Sequence, residues 1–317
     1  MPKDITLTAG IDTGKDTLDV AVHGTASRFK LDNNPEGWQS LAAELAKAGA
    51  QRIGIEATGG YERGVTRHLQ DQGFTVLVLQ PLQVRAFAKL HLRRAKSDRI
   101  DAVLIAACTH VLDPQARQPD PRLDALTDQL TFVEQVEADI ARLKTRLEHI
   151  RDPRLHGIVS ADIKHLQARR GDELKRLSKA VRDHADLARR LKLVLSVPGI
   201  GERTALALIL RMPELGTLSR EQAAALAGLA PFVQQSGRWV GQAHIAGGRS
   251  RLRRSLYAAA LPAAFRWNPA LKAFYRRLVE RGKAHTVALV ACARKLVVFA
   301  NTVLARGTPW TSQAAAA

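Results

Sequence analysis

The sequence predicts an α/β domain followed by a mainly helical region, and three observations support this. Short apolar runs that end at carboxylates alternate with helical periods over residues 4–112, which indicates a mixed sheet. Residues 121–193 are charge-dense with leucines at gaps of three and four, and the last third is helical and basic. We expect three domains: a mixed-sheet domain over 1–118, a helical coiled-coil segment over 119–193 and a mainly helical domain over 194–317.

The first region predicts a β-hairpin and then alternating helices and strands. Strands at 6–12 and 17–23 flank a turn with glycine. Continuous apolar runs at 52–56 and 74–79 are typical of buried parallel strands. Helices are predicted at 35–48, 61–72, 82–92 and 97–112.

The second region predicts two long helices. Its leucine spacing is heptad-like, and Pro153 and Gly157 are expected to interrupt it. Either the two helices form a hairpin within one subunit, or they form a protruding coiled coil that pairs subunits. The sequence leaves both possibilities open.

Four carboxylates carry most of the chemical information. Asp12 and Glu56 each end an apolar strand, and Asp98 and Asp101 lie three apart on one face of a predicted helix. Gathered at one sheet edge, they would repel one another and resist ionisation. One or two Mg²⁺ ions, or Mn²⁺, would relieve that repulsion. Two such ions about 4 Å apart stabilise in-line displacement at a phosphodiester.

Each carboxylate also has a simpler interpretation, which for Glu56 is an ordinary exposed glutamate at the end of a strand. Asp12 lies in the turn at 10–14, which is similar to phosphate-binding turns of sugar kinases and actin-like ATPases, or simply caps a turn. An ATPase would need a second phosphate loop and an adenosine loop, which the sequence lacks. Asp98 and Asp101 also fit an acidic helix start that is capped by Ser97.

Charge predicts a polyanionic partner. The 317 residues carry a net charge of +18, and residues 238–306 hold 14 Lys and Arg against one acid, Glu280. We interpret the partner as nucleic acid, because no apolar run approaches the roughly 20 residues of a membrane span. No signal peptide is evident, and Cys108 and Cys292 read as reduced, buried thiols, so we expect a cytoplasmic protein. The predicted nucleic-acid contacts are Arg93, Arg94, Lys96, Gly199, Gly201, Arg238, Arg249, Arg251, Arg253 and Arg254.

Two C-terminal motifs carry further hypotheses. The glycines of 197–201 predict a helix-hairpin-helix whose backbone N–H groups meet a phosphate, although an ordinary helix–helix turn has the same pattern. Ser236 precedes several arginines that would activate its hydroxyl as a nucleophile on phosphorus, although a Ser-Gly pair is normally a turn. Ser250 and Ser255 are rival serines, and His244 is a candidate base in a predicted strand.

Seven ordered blocks together resemble a known family. It is the insertion-sequence transposase family numbered one hundred and ten, whose N-terminal DEDD domain is related to the RuvC resolvase. The blocks are Gly10-Ile11-Asp12, Ile55-Glu56-Ala57-Thr58-Gly59-Gly60-Tyr61, Lys96-Ser97-Asp98 with Asp101-Ala102, Pro198-Gly199-Ile200-Gly201, Leu226-Ala227-Gly228-Leu229-Ala230-Pro231, Ser236-Gly237, and Gly247-Gly248 ahead of Arg253-Arg254 and Leu256-Tyr257.

The resemblance implies more than the residues alone establish. It implies that Asp12, Glu56, Asp98 and Asp101 form a metal-binding tetrad on a ribonuclease H-like or RuvC-like sheet, and that Ser236 is the nucleophile. It also implies a structured noncoding guide RNA that pairs with donor and target DNA, and a homo-oligomer between dimer and tetramer. We therefore expect an Mg²⁺-dependent, RNA-guided DNA recombinase. The alternatives are a RuvC-like endonuclease that uses water and metal, and a non-catalytic nucleic-acid-binding scaffold.

Overall fold

The computed structural model describes two compact units. It covers residues 7–91, 98–112, 120–232, 235–236, 239–240 and 244–311. The units span Met1–Pro121 and Arg122–Ala317. The division of the second unit into a helical segment and a C-terminal domain stays a prediction.

The first unit contains one mixed, five-stranded sheet. Its strand order is β3-β2-β1-β4-β5, in which β1, β2 and β3 are antiparallel and β1, β4 and β5 are parallel. The elements are β1 Leu7–Thr13, β2 Thr17–Val22, β3 Arg28–Asp32, α1 Pro35–Lys47, β4 Ala50–Glu56, α2 Glu62–Asp71, β5 Thr75–Leu79, α3 Pro81–Leu90 and α4 Asp98–Val111. The predicted hairpin and the alternating strands and helices are confirmed.

Strand β3 was not predicted. Its exposed and half-buried positions alternate over five residues, Arg28–Asp32, so it carries no apolar run. The backbone continues from it through Asn33 and Asn34, and the Asn34 side chain accepts from Gly37 N at 2.8 Å, which starts α1 at Pro35.

The two faces of the sheet are packed in different ways. On one face, large apolar residues such as Ile11 and Ile55 pack against Leu41 and Leu69 of α1 and α2. The other face carries small residues, and helix α4 lies on it.

Two glycines allow this close approach of α4. A Cβ on Gly10 would overlap backbone atoms of Ala102 and Ala106, and one on Gly54 would overlap the Thr109 side chain. Gly10 and Gly54 are register partners in the parallel β1–β4 pair. Helix α4 therefore packs directly on the centre of the sheet.

The second unit is helical with four very short strands. Its elements are α5 Pro121–Leu147, α6 Pro153–Arg182, α7 Ala185–Leu195, α8 Glu202–Arg211, α9 Arg220–Leu226, β6 Pro231–Phe232, β7 Gln235–Ser236, β8 Trp239–Val240, β9 His244–Ile245, α10 Ser250–Pro262, a π-helix Ala263–Trp267, α11 Pro269–Glu280 and α12 His285–Arg306. Strand β6 pairs with β9, and β7 pairs with β8, both antiparallel.

Helices α5 and α6 are the two long helices that the leucine spacing predicts. The start of α5 and the end of α6 belong to the main core through Leu130 and Leu177, whereas Val136, Ile140 and Ile163 form a separate small core between the two helices. The helices break between Leu147 and Pro153, with Asp152 as N-cap. The expectation that Gly157 also interrupts the helix was wrong, because Gly157 lies inside α6, where a single glycine costs only about 1 kcal/mol.

Helix α12 forms the centre of the second unit. Among the described residues it is the one helix long and apolar enough, by composition, to cross a membrane, but 50% of its apolar window is buried inside the protein. Leu289, Cys292 and Leu296 on this helix belong to the main core. Cys108 and Cys292 are buried, free thiols as predicted, and burial raises the pKa of Cys292 to about 11.

Candidate active site and nucleic-acid contacts

Asp12 and Glu56 end neighbouring parallel strands at the same edge of the sheet. Ile11 is the register partner of Ile55, and the two carboxylates are the next residues along β1 and β4. Side chains alternate along a strand, so Asp12 and Glu56 share the face of Gly10 and Gly54. That face is covered by α4, and both carboxylates are half-buried there.

Helix α4 brings the other two aspartates towards this edge. Ala106 lies against both Thr8 and Gly10, and Ala102 lies against Gly10, so α4 runs with its N-terminus towards the carboxyl end of β1. Asp101 is half-buried beside Ala102. Asp98 is the first residue of α4, and its side chain lies outside the described part of the structure, so only its backbone is located at this end.

Asp19 is a fifth carboxylate at this edge that the sequence interpretation missed. It is the register partner of Asp12 in the β1–β2 hairpin, and directly opposed residues of an antiparallel pair share a face. Its side chain is only 14% exposed and pairs with Lys30 of β3 at 3.2 Å. The hairpin register, counted back from the turn at 14–16, was the signal that would have found it.

The glycine turn after Glu56 is held by another carboxylate. Glu62 accepts from Thr58 N at 3.1 Å and from Gly60 N at 2.8 Å. Gly59 and Gly60 have positive φ values, 81° and 122°, which glycine adopts at low cost. Glu62 therefore fixes the turn that leaves the sheet next to Glu56.

The donor set at this edge fits a hard divalent cation. Carboxylate oxygens from two strand ends and one helix are the ligands that Mg²⁺ and Mn²⁺ prefer. Among the described side chains, to which Asp98 does not belong, no group of three or more His, Cys, Asp or Glu is close enough to form a metal site.

The predicted hairpin of residues 197–201 lies between α7 and α8. Gly199 has a φ of +95° and lies against Ala263, where a Cβ would overlap the Ala263 side chain. Asn268 donates from Nδ2 to Pro198 O at 3.0 Å, which ties the turn to the π-helix. Gly201 is the N-cap of α8 and has open space around its Cα.

An acidic side chain stands in the first turn of α8. Glu202 accepts from the Ser178 hydroxyl at 2.5 Å and pairs with Arg182 at 2.8 Å. The Ser178 hydrogen bond and then Arg182 hold the pKa of Glu202 below its usual value. Arg182 thus offsets a charge that would otherwise repel a phosphate from this helix start.

Three of the predicted nucleic-acid arginines are half-buried and make contacts within the chain. Arg249 makes a bidentate ion pair with Glu214, with N–O distances of 2.9 and 2.6 Å. Arg251 pairs with Glu134 at 2.8 Å, and Arg253 donates to Gly247 O at 2.8 Å. Arg254 is exposed on α10. Arg93, Arg94, Lys96 and Arg238 lie outside the described residues.

Glu134 of α5 is the centre of this internal network. Its side chain is 9% exposed and contacts Arg211 at 2.8 Å, Arg251 at 2.8 Å and Arg203 at 3.6 Å. Burial lowers the pKa of Arg211, and Glu134 opposes that shift. These arginines therefore join α8 and α10 to α5.

The serines differ in their surroundings. Ser236 ends β7 opposite Trp239 of β8, and its side chain lies outside the described part. Ser255 is buried, donates to Arg251 O at 3.1 Å and accepts from Arg203, so it has a structural role. Ser250 is the exposed first residue of α10, and His244 is exposed in β9, where a strand was expected.

Comparisons with known proteins match both units. Residues 9–152 match the DEDD transposase model of IS110 elements, and residues 191–276 match the transposases of the IS116/IS110/IS902 family. The chain belongs to the IS110 family of transposases. It is therefore a DNA transposase/recombinase, as the sequence predicted, and the tetrad that names the first model indicates dependence on a divalent metal.

Individual relatives agree with the family. The pilin gene-inverting proteins of Moraxella bovis and Moraxella lacunata are each 27% identical over 315 residues, which cover 95% of this chain and 96% of theirs. An uncharacterised protein of insertion element IS110 from Streptomyces coelicolor is 36% identical over 121 residues, which cover 37% of this chain and 29% of that protein.

Proposed function

We propose that this IS110-family transposase is an RNA-guided DNA recombinase. In this proposal the sheet edge of the first unit binds metal at the scissile phosphate, and Ser236 of the second unit attacks it. The observation that carries the proposal is the arrangement of Asp12 and Glu56 side by side at two parallel strand ends, with Asp101 of α4 approaching from above the same face. We further propose that the sheet is RuvC-like.

Asp12, Glu56, Asp98 and Asp101 would hold the metal in this proposal. Bound Mg²⁺, or Mn²⁺, would neutralise charge on the phosphate oxygens during displacement. Asp19 is a second carboxylate beside Asp12. Its ion pair with Lys30 reduces the negative charge that Asp19 adds to this edge of the sheet. We propose Lys30 as a residue that sets the electrostatics of this edge.

The proposed serine step balances without an external energy source. Ser236 Oγ forms a bond to phosphorus while the bond from phosphorus to one strand oxygen breaks, and that oxygen leaves as a hydroxyl. The serine proton passes to a base. Attack by a hydroxyl of the partner strand reverses the step, so the number of phosphate ester bonds is conserved and ATP is not needed.

The remaining finer features are also proposals. The turn at Gly199 and Gly201 would act as a helix-hairpin-helix that contacts a DNA phosphate through backbone N–H groups at the start of α8. A structured guide RNA would supply the sequence recognition, which fits the net charge of +18. The pilin gene inversion named for the two relatives supports a protein that rejoins strands as well as cutting them.

We propose that subunits pair through the α5–α6 hairpin as a coiled coil. Leu155 and Ile158, near the turn that joins the helices, are 43% and 50% exposed, and a second subunit would cover them. The metal residues and Ser236 would then be shared between subunits. Mixing Asp12→Asn protein with Ser236→Ala protein should restore recombination, and no activity in any mixture would contradict sharing.

The second candidate is a RuvC-like endonuclease that uses water as the nucleophile. It is favoured by the same observation, because the carboxylates at the ends of β1 and β4 serve either reaction. It differs in one outcome: cutting would persist without Ser236. A non-catalytic scaffold would instead bind nucleic acid without metal and would not cut it.

A covalent-adduct trap tests the proposal. The protein is expressed with the noncoding DNA that flanks its gene and a donor DNA, in the presence of Mg²⁺. The sample is denatured, and DNA linked to protein is measured for the wild type, Ser236→Ala, Asp12→Asn and the control Ser250→Ala. We expect adduct in the wild type and control only.

Two other outcomes would contradict the proposal. DNA that is cut without adduct and is unaffected by Ser236→Ala would make the protein a hydrolytic endonuclease. Binding without any cutting, with an affinity that falls roughly 10³- to 10⁵-fold between 50 and 200 mM salt, would leave the scaffold interpretation.

A further inference from the structure

The second unit contains a cavity that shares no lining residue with the Glu134 network. It has a volume of about 380 Å³ and lies among α9, α11, α12 and the segment that follows α12. That volume is within the range of small-ligand sites, roughly 300–1,000 Å³. All its described lining residues belong to the second unit.

The cavity is strongly basic. Its described lining includes four cations, Arg220, Arg294, Lys295 and Arg306, and one carboxylate, Glu221. This differs from the Glu134 network, in which carboxylates bind the arginines. Four cations against one acid favour an anionic ligand, and the planar guanidinium of arginine can bind a phosphate through two hydrogen bonds.

Three aromatic rings lie beside these cations. Phe299 and Trp310 have ring centres 4.4 Å apart, and Phe274 also lines the cavity. Lys295 Nζ lies 4.7 Å from the Phe274 ring and 5.9 Å from the Phe299 ring. The rings are half-buried, so they line the cavity and are also supported by the core.

The segment that carries Trp310 is held in place from outside the cavity. The Trp310 backbone N–H donates to the Ser196 hydroxyl at 2.8 Å, which fixes the segment after α12 against the end of α7. A rigid ring loses little conformational entropy when a planar group stacks on it. The segment is therefore prepared for stacking before a ligand arrives.

The geometry points to a pocket for one unpaired nucleotide of a nucleic-acid strand. Its phosphate would be held by Arg220, Arg294 or Arg306, and its base would stack on the outside of the Phe299–Trp310 pair or on Phe274. This inference rests on the proposed function, which supplies the DNA or guide RNA to which the nucleotide would belong. A paired duplex does not fit, because its bases are stacked inside the helix. Sequence-independent strand binding uses the same combination of cations and aromatic rings.

The test is binding to short strands that lack any recombination site. Fluorescent 5-bromouracil oligonucleotides of DNA and of RNA, each single-stranded and as a duplex, are titrated into the full-length protein. The double variant Arg294→Gln/Lys295→Gln is compared with Arg281→Gln/Lys283→Gln, which removes two exposed cations outside the cavity. Both changes lower the net charge equally.

We expect the cavity variant to bind single strands about tenfold more weakly than the charge-matched control does. Ultraviolet cross-linking followed by peptide mapping should mark peptides with Phe274, Phe299 or Trp310. Comparison of the RNA and DNA oligonucleotides identifies which nucleic acid the pocket binds. Equal losses in the two double variants, or cross-links confined to other peptides, would overturn the inference.

Failure of this inference is distinguishable from failure of the proposed function. The binding measurement does not depend on cutting, because the probes lack a recombination site. Adduct formation is measured in a separate experiment. A positive adduct trap with no effect of the cavity variant would overturn the pocket and leave the recombinase proposal intact.

Discussion

The two units use their charged side chains differently. In the first, Asp12 and Glu56 follow buried strands, and the sheet register turns them to one face. In the second, the sequence at the start of α10 is rich in arginine and contains no acid. Even so, Arg249 and Arg251 pair with the distant carboxylates Glu214 and Glu134. Strand register therefore fixes where a charged side chain points, whereas the number of charges on a helix does not.

The largest expected effect on stability comes from the internal network. Glu134→Gln should lower the free energy of unfolding of the second unit by about 3–5 kcal/mol, because it leaves Arg211 and Arg251 buried or half-buried without their carboxylate. Denaturant unfolding, followed by circular dichroism of the helices, measures the change.

A surface ion pair on the same helix is the control. Asp139 pairs with Arg142, and their side chains are 43% and 77% exposed. Asp139→Asn should cost less than about 1 kcal/mol. Equal costs for the two variants would mean that the Glu134 network is not a buried structural device, and its arginines would again be candidates for DNA contact.

A smaller effect is expected at the centre of the sheet. Gly10→Ala should lower the free energy of unfolding by about 1–3 kcal/mol, because the added Cβ overlaps backbone atoms of α4 that are fixed by their own hydrogen bonds. Gly171→Ala, inside α6 with open space around it, should instead stabilise by about 0.5–1 kcal/mol. Similar shifts for both would contradict the direct packing of α4 on β1.

The smallest effect concerns pH. The pKa of Glu202 is held below its ordinary value of 4.5, so its pairing with Ser178 and Arg182 stabilises the folded protein above that pH. This contribution is lost as pH falls through the lowered pKa. Unfolding of wild type and Glu202→Gln should differ by less than about 1 kcal/mol at pH 7, and the difference should close in acid. A difference that stays constant with pH would exclude the ionised Glu202 carboxylate as a source of this stability.

Sequence alone predicted the strands that carry Asp12 and Glu56, because continuous apolar runs mark buried strands. It missed the edge strand β3, in which exposed and half-buried residues alternate. It therefore also missed the ion pair between Lys30 of β3 and Asp19. The sequence also could not show which arginines pair with carboxylates of the same chain, because those carboxylates are distant in the sequence. Arg251 and Glu134 are 117 residues apart.

The most direct test of the central claim is Mn²⁺ binding to the full-length protein, measured by electron paramagnetic resonance. Asp12→Asn/Glu56→Gln is compared with Glu44→Gln/Asp71→Asn, which removes two exposed carboxylates from the same unit. We predict that Mn²⁺ affinity falls at least roughly tenfold in the first variant and is unchanged in the second. Equal affinity in the wild type and both variants would contradict a metal site at the ends of β1 and β4.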